Sequence, residues 1–110
     1  MKGVHLRFYT CENRHHHGVP VYQWLLDQAQ KLGIPGGSAF KAMAGYGRNE
    51  KLHEQHFFEL AGEVPVLVEF IADEDDARRL LERLAAERLA LFHACLPTEY
   101  GIVGETLQSP

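Results

Sequence analysis

Residues 65–86 read PVLVEFIADEDDARRLLERLAA. The stretch changes its period part-way, and that change decides the fold. PVLVEFIA is rich in β-branched and aromatic side chains and is apolar on both faces except at Glu69, so it reads as a strand. Asp73 then has the chemistry of a helix N-cap, with Glu74, Asp75 and Asp76 in the first turn, where the helix dipole favours negative charge. Ala77, Leu80, Leu81, Leu84 and Ala85 follow at helical spacing and make one apolar stripe. Glu74 with Arg78 and Asp75 with Arg79 are expected to pair at i,i+4.

The amino-terminal half repeats the strand-then-helix order. In VHLRFYT (4–10), Val4, Leu6 and Phe8 alternate with His5, Arg7 and Tyr9, the pattern of a half-buried strand. After the polar CENRHHHG, Pro20 suits a helix start, Tyr22, Leu25, Leu26 and Ala29 keep helical spacing, and Gly33 is a stop. The predicted helix spans about 20–32. IPGG (34–37) is a turn, and SAFKAMAGYG (38–47) is a strand with Phe40, Ala42 and Ala44 on one face and Lys41 and Met43 on the other. LALFHACLPTEYGIVG (89–104) supplies the last strand, with Pro97 expected to interrupt it. The order β-α-β-β-α-β is that of an α+β, ferredoxin-like sandwich, an antiparallel sheet with both helices on one face and the first strand between the third and the last.

At 110 residues the chain has room for one ordinary domain, 1–110, with a flexible tail expected at 105–110. A net charge of −4 argues against nucleic acid as a general partner, because phosphate binding needs a basic surface. No run approaches the ~20 apolar residues that span a bilayer, and MKGVHLRFYT does not read as a signal peptide, so a cytoplasmic protein without membrane insertion is expected. Cys11 and Cys95 lack CxxC spacing and read first as reduced thiols, although the strands they flank are antiparallel neighbours in the expected sheet.

If Val4, Leu6 and Phe8 face the helices, then His5, Arg7 and Tyr9 line the other face, joined by Lys41, Met43, Leu67, Glu69 and Ile71. Such a mixture of charge and apolar area fits an oligomer interface containing ion pairs. Two histidine groups suggest a divalent metal. In an extended loop, neighbouring side chains diverge, so His15 and His17 are the pair expected to share a side, with Glu12 and His16 nearby. The histidine loop reads first as a solvated, pH-sensitive lead-in to the helix, with a metal or anion site as the alternative. His53 and His56 have HxxH spacing and share a face if helical.

The segment 45–64 is long for a hairpin connection, and connections of that length are usually functional or disordered. It opens with Gly45, Tyr46, Gly47 and Arg48. The two glycines permit close approach of a ligand and amides aimed at an anion, and the arginine suits a phosphate.

ENRHHHGVPVYQWL (12–25), AQKLGIPGGSAFKAMAGYG (29–47) and FFELAGEVPVLVEFIADEDDARRLLERL (57–84) together resemble a prokaryotic family of small PII-like proteins of unassigned function. The shared pattern is E-x5-G-x-P-[LV]-[YF] at the helix start, a glycine turn before the second strand, a GFG-like loop start (GYG here), and LP-[VI]-x-[VI]-E in the third strand (Val64-Pro65 here). The resemblance runs from Val4 to about Leu84. It implies a ferredoxin-like subunit of a homotrimer, related to nitrogen regulatory PII and CutA-type proteins. It also implies a small effector, commonly an adenine nucleotide, in inter-subunit clefts at the base of the long loop, and a transporter or enzyme as the regulated partner. Carried over, the ligand-binding positions are Gly45, Tyr46, Gly47 and Arg48, with Gly36 and Gly37 at the turn before the same strand. The uridylylation-site motif and nucleotide-loop signatures of true PII proteins have no match here, so nucleotide binding is an inference at fold level. The alternative by resemblance is a CutA-like metal-binding protein using His15, His17, His53 and His56. A third reading, an enzyme with His5, Arg7, Tyr9 and Glu69 as acid, base and anion clamp, requires an open sheet face, so a non-enzyme is expected.

Overall fold

The computed structural model describes residues 1–46 and 64–105. Its elements are β1 (Lys2–Cys11), β2 (His15–His16), β3 (Val19–Pro20), α1 (Val21–Lys31), β4 (Gly37–Lys41), β5 (Pro65–Ala72), α2 (Glu74–Ala86) and β6 (Phe92–Glu99). Strands order as β4-β5-β1-β6, all antiparallel, and β2 with β3 form a separate two-stranded ribbon. The first strand lies between the third and the last long strands, as the ferredoxin-like arrangement requires.

The two central strands explain the core. Val4, Leu6 and Phe8 of β1 and Val66, Val68, Phe70 and Ala72 of β5 are buried against the helices, and the Phe8 and Phe70 rings meet edge-on at 6.2 Å. From α1 come Val21, Trp24, Leu25 and Ala29, and from α2 Ala77, Leu80 and Leu84. Leu81 packs at the margin of this cluster, whereas Ala85 is exposed. Each such large side chain removed from water contributes roughly 1.5–3 kcal/mol. Polar contacts join the helices. Arg83 donates to Gln28, a buried side chain of α1, at 2.5 Å, and Arg79 donates to the carbonyl of Leu32 at 2.9 Å.

Local chemistry sets the helix ends. Asp73 accepts from the amide of Asp76 at 2.7 Å, the expected N-cap. After α1 the chain reverses at Gly33 (φ +87°), where Ile34 bonds back to Ala29 and Gly33 to Gln30. After α2 the same double bond forms from Leu89 to Leu84 and from Arg88 to Ala85, with Arg88 at φ +55° in the position glycine usually takes.

Several expectations need correction. The acidic and basic side chains of α2 pair at i,i+3, Asp75 with Arg78 and Asp76 with Arg79. β4 is shorter than expected and opposite in phase. It pairs Phe40 with Leu67, so Phe40 faces away from the helices and Lys41 toward their side. Gly37 fixes that register. A Cβ there would lie 2.3 Å from the buried ring of Phe70 and 3.2 Å from Leu26, so only glycine lets the strand run this close. Pro97 does not interrupt β6. It sits opposite Val4 on an edge strand, where a missing amide is tolerated. Cys11 lies opposite Pro65 and Cys95 opposite Leu6. Five residues of β1 separate the two levels, roughly 17 Å of strand, so the free thiols are far beyond bridging distance.

Candidate functional site

A long connection joins the end of β4 to the start of β5, and a small polar cluster gathers at its base. Glu12, just beyond β1, touches both ends. Its amide donates to the carbonyl of Val64 at 2.8 Å, and its carboxylate lies 2.5 Å from Nζ of Lys41. The amide of Ala42 donates to Pro65 at 2.8 Å and closes the base. The hydrogen bond that Lys41 donates to the Glu12 carboxylate holds the pKa of its ammonium above the ordinary value. Gly45 runs beside Pro65, where a Cβ would meet its ring at 3.4 Å. Tyr46 is exposed there. Gly47, Arg48, His53 and His56 lie outside the described residues. Gly36 and Gly37 are at the opposite end of β4, so the structure does not bring the two glycine groups together.

The sheet face away from the helices is built in rows. Phe92, Tyr9, Leu67 and Phe40 stand in register across all four strands, and the Tyr9 and Phe92 rings are 5.6 Å apart. The next row is Ala94, Arg7, Glu69 and Ser38, and the next Leu96, His5 and Ile71. His5 donates from Nε2 to Glu69 at 2.8 Å across a diagonal, and the Arg7 guanidinium lies 5.8 Å from the centre of the Tyr9 ring. Arg7 Nε is buried and has no hydrogen-bond partner among the described residues. Met43, expected on this face, lies beyond the end of β4 and is exposed.

The histidine-rich loop folds back on itself. His17 (φ +53°) and Gly18 (φ +80°) make the tight turn between β2 and β3, the geometry of a two-residue hairpin. That turn changes which side chains meet. His16 and His17, neighbours in sequence, bring their rings to 4.1 Å at a tilt of 55°, and both donate from Nε2 to the same Glu87 oxygen, at 3.0 and 2.8 Å. His15 turns away and bonds the carbonyl of Asn13 at 2.8 Å. The expected pairing of His15 with His17 is therefore replaced by His16 with His17, because the positive-φ turn makes adjacent side chains converge. Glu87 was invisible as their partner, since no spacing rule links residues so far apart in the chain. The hydrogen bonds from His17 and then His16 hold its carboxyl below the ordinary value.

A model of the DUF190 family, described as uncharacterized ACR, COG1993, matches residues 3–89. The chain belongs to the DUF190 family. Among DUF190 relatives, a UPF0166 protein of Aquifex aeolicus (strain VF5) is 35% identical over 87 residues, 79% of this chain and 83% of that protein. A UPF0166 protein of Methanocaldococcus jannaschii is 27% identical over 84 residues, 76% of this chain and 77% of that one. The fold of this chain is that of PII-like proteins. The structure of CPII from Thiomonas intermedia K12 bound to ADP, AMP and acetate aligns with a TM-score of 0.59 at 17% identity, covering 92% of this chain and 90% of that one. A proposed PII-like signaling protein from Thermus thermophilus aligns at 0.60 with 19% identity, covering 89% and 87%. No helix among the described residues is long and apolar enough to cross a membrane.

Proposed function

We propose that this chain is the subunit of a cytoplasmic PII-like regulatory homotrimer that binds an adenine nucleotide between subunits and signals through the 45–64 loop. The observation that carries the reading is the uncovered sheet face. It holds the contiguous row Phe92–Tyr9–Leu67–Phe40 beside a His5–Glu69 pair and a buried Arg7 Nε with no hydrogen-bond partner among the described residues. Such a face is too apolar to stand in water at no cost and too charged for a simple core, and a second and third copy of the same face satisfy both features. His5, Arg7, Tyr9 and Glu69 are then interface groups rather than catalytic ones.

The nucleotide reading draws on the fold. A CPII structure that aligns with this chain is of a protein bound to ADP, AMP and acetate. In this chain the corresponding place is taken to be the base of the long loop, with Gly45, Tyr46, Gly47, Arg48 and the Glu12–Lys41 clamp around it, and Gly36 and Gly37 at the far end of the strand. An effector there would bias the ordering of the loop and so its docking on a transporter or an enzyme.

A thermal-shift panel of AMP, ADP, ATP and cyclic AMP tests this reading. A ligand that binds only the folded state raises stability by about 2.7 kcal/mol at a hundred times its Kd. At least one nucleotide is expected to raise the midpoint in a concentration-dependent way; a flat response to all four contradicts the nucleotide assignment.

A further inference from the structure

We propose that His16, His17 and Glu87 form a binding site for a borderline divalent metal ion of the zinc class. The site shares no residue with the loop base or the open sheet face, and does not depend on the nucleotide reading.

The donor set is the first argument. Two imidazoles and one carboxylate are the ligands that zinc takes in three-ligand sites, leaving a fourth position for water or another donor. One nitrogen of each imidazole and a Glu87 oxygen all lie within 4.8 Å of one another. Each nitrogen sits 2.8–3.0 Å from the shared oxygen. In a tetrahedral site with bonds of about 2.0–2.1 Å the donors stand about 3.3 Å apart, so each nitrogen–oxygen separation needs to open by only a few tenths of an ångström.

The second argument is that the elements around the site hold these donors in place. The hairpin turn at His17 and Gly18 makes two neighbouring imidazoles converge. The His16 ring packs edge-on against Trp24 of α1, with centroids 4.7 Å apart, which fixes its orientation. Glu87 caps the carboxyl end of α2, followed by Arg88 in the left-handed region. A carboxylate at that end of a helix opposes the dipole, whereas a cation held there is favoured by it. Ion binding would thus relieve an unfavourable placement that the two histidine hydrogen bonds already offset in part. It would also tie the β2–β3 ribbon to the end of α2.

The test uses the full chain without a tag, purified without an immobilised-metal column and stripped with a chelator. Zinc chloride is titrated by calorimetry, and cobalt(II) is followed by its visible absorption. The variants are E87Q, which keeps a hydrogen-bond acceptor, and H17N, since asparagine tolerates positive φ. Losing outer-shell support alone costs metal sites about 10–100-fold, so each variant is expected to weaken zinc at least about tenfold. Wild type is expected to take one zinc per chain, and H15Q to match it, with unchanged circular dichroism throughout. The proposal is overturned if the wild type takes up no zinc, or if E87Q and H17N bind it as the wild type does.

Discussion

The Glu12 carboxylate lies 2.5 Å from the Lys41 ammonium. That contact joins the end of β1 to the exit of β4, and the Glu12 amide at the same time holds Val64, where the chain returns to β5. One residue therefore pins both ends of the long connection. The raised pKa of Lys41 gives the contact a sign. A cation stabilised on folding contributes fully below its unfolded value of about 10.5 and stops contributing as pH rises through the higher folded value. Lys41→Met is therefore expected to be less stable than wild type in urea at neutral pH, with the gap closing above about pH 10.5. Both side chains are solvent-accessible, so the gap will be small and reduced by salt. A gap that widens with alkalinity would contradict the clamp.

Gly37 tests the β4 register. Its missing Cβ is occupied by the Phe70 ring, itself within the core. Gly37→Ala is expected to destabilise by about 1–3 kcal/mol, read from urea midpoints, because the ring has to leave its packed position. A neutral result would mean that β4 lies farther from β5 than the structure places it.

The helix ends make opposite predictions. Asp73→Ala removes the acceptor for the Asp76 amide and is expected to cost about 1 kcal/mol. Arg88→Gly replaces a side chain held at φ +55° and is expected to stabilise by about 1 kcal/mol. Thermal unfolding of the two variants checks both directions at once.

The open sheet face can be charged without touching the core. Phe92 and Leu96 are exposed residues of the edge strand β6, in the rows of Tyr9 and His5. Phe92→Asp and Leu96→Asp are expected to turn the proposed trimer into monomers in sedimentation velocity while circular dichroism stays native. Unchanged trimers would place the interface elsewhere.

The sequence made the frame of this structure readable wherever burial repeats with a fixed period. Val4, Leu6 and Phe8 alternate because one face of β1 is dry, and Ala77, Leu80 and Leu84 recur because one face of α2 is. Asp73 was readable because a cap is a local hydrogen bond. The phase of β4 was not, since Phe40 and Ala39 are both apolar and exposed, and the register rests on a glycine meeting Phe70 from another strand. Pro97 misled because the rule against proline holds for central strands, and edge status is a tertiary fact. The His16–His17–Glu87 cluster was hidden for two reasons. A positive-φ turn brings adjacent side chains together, and the carboxylate arrives from the far end of another helix.

If this DUF190 chain is a nucleotide-responsive PII-like subunit, a calorimetric titration of ADP and AMP into the untagged protein will register it. Saturable heat is expected for at least one of them, with a stoichiometry near one per chain and weaker binding in Tyr46→Ala. No heat from either nucleotide, in protein shown to be folded and trimeric, would contradict that reading.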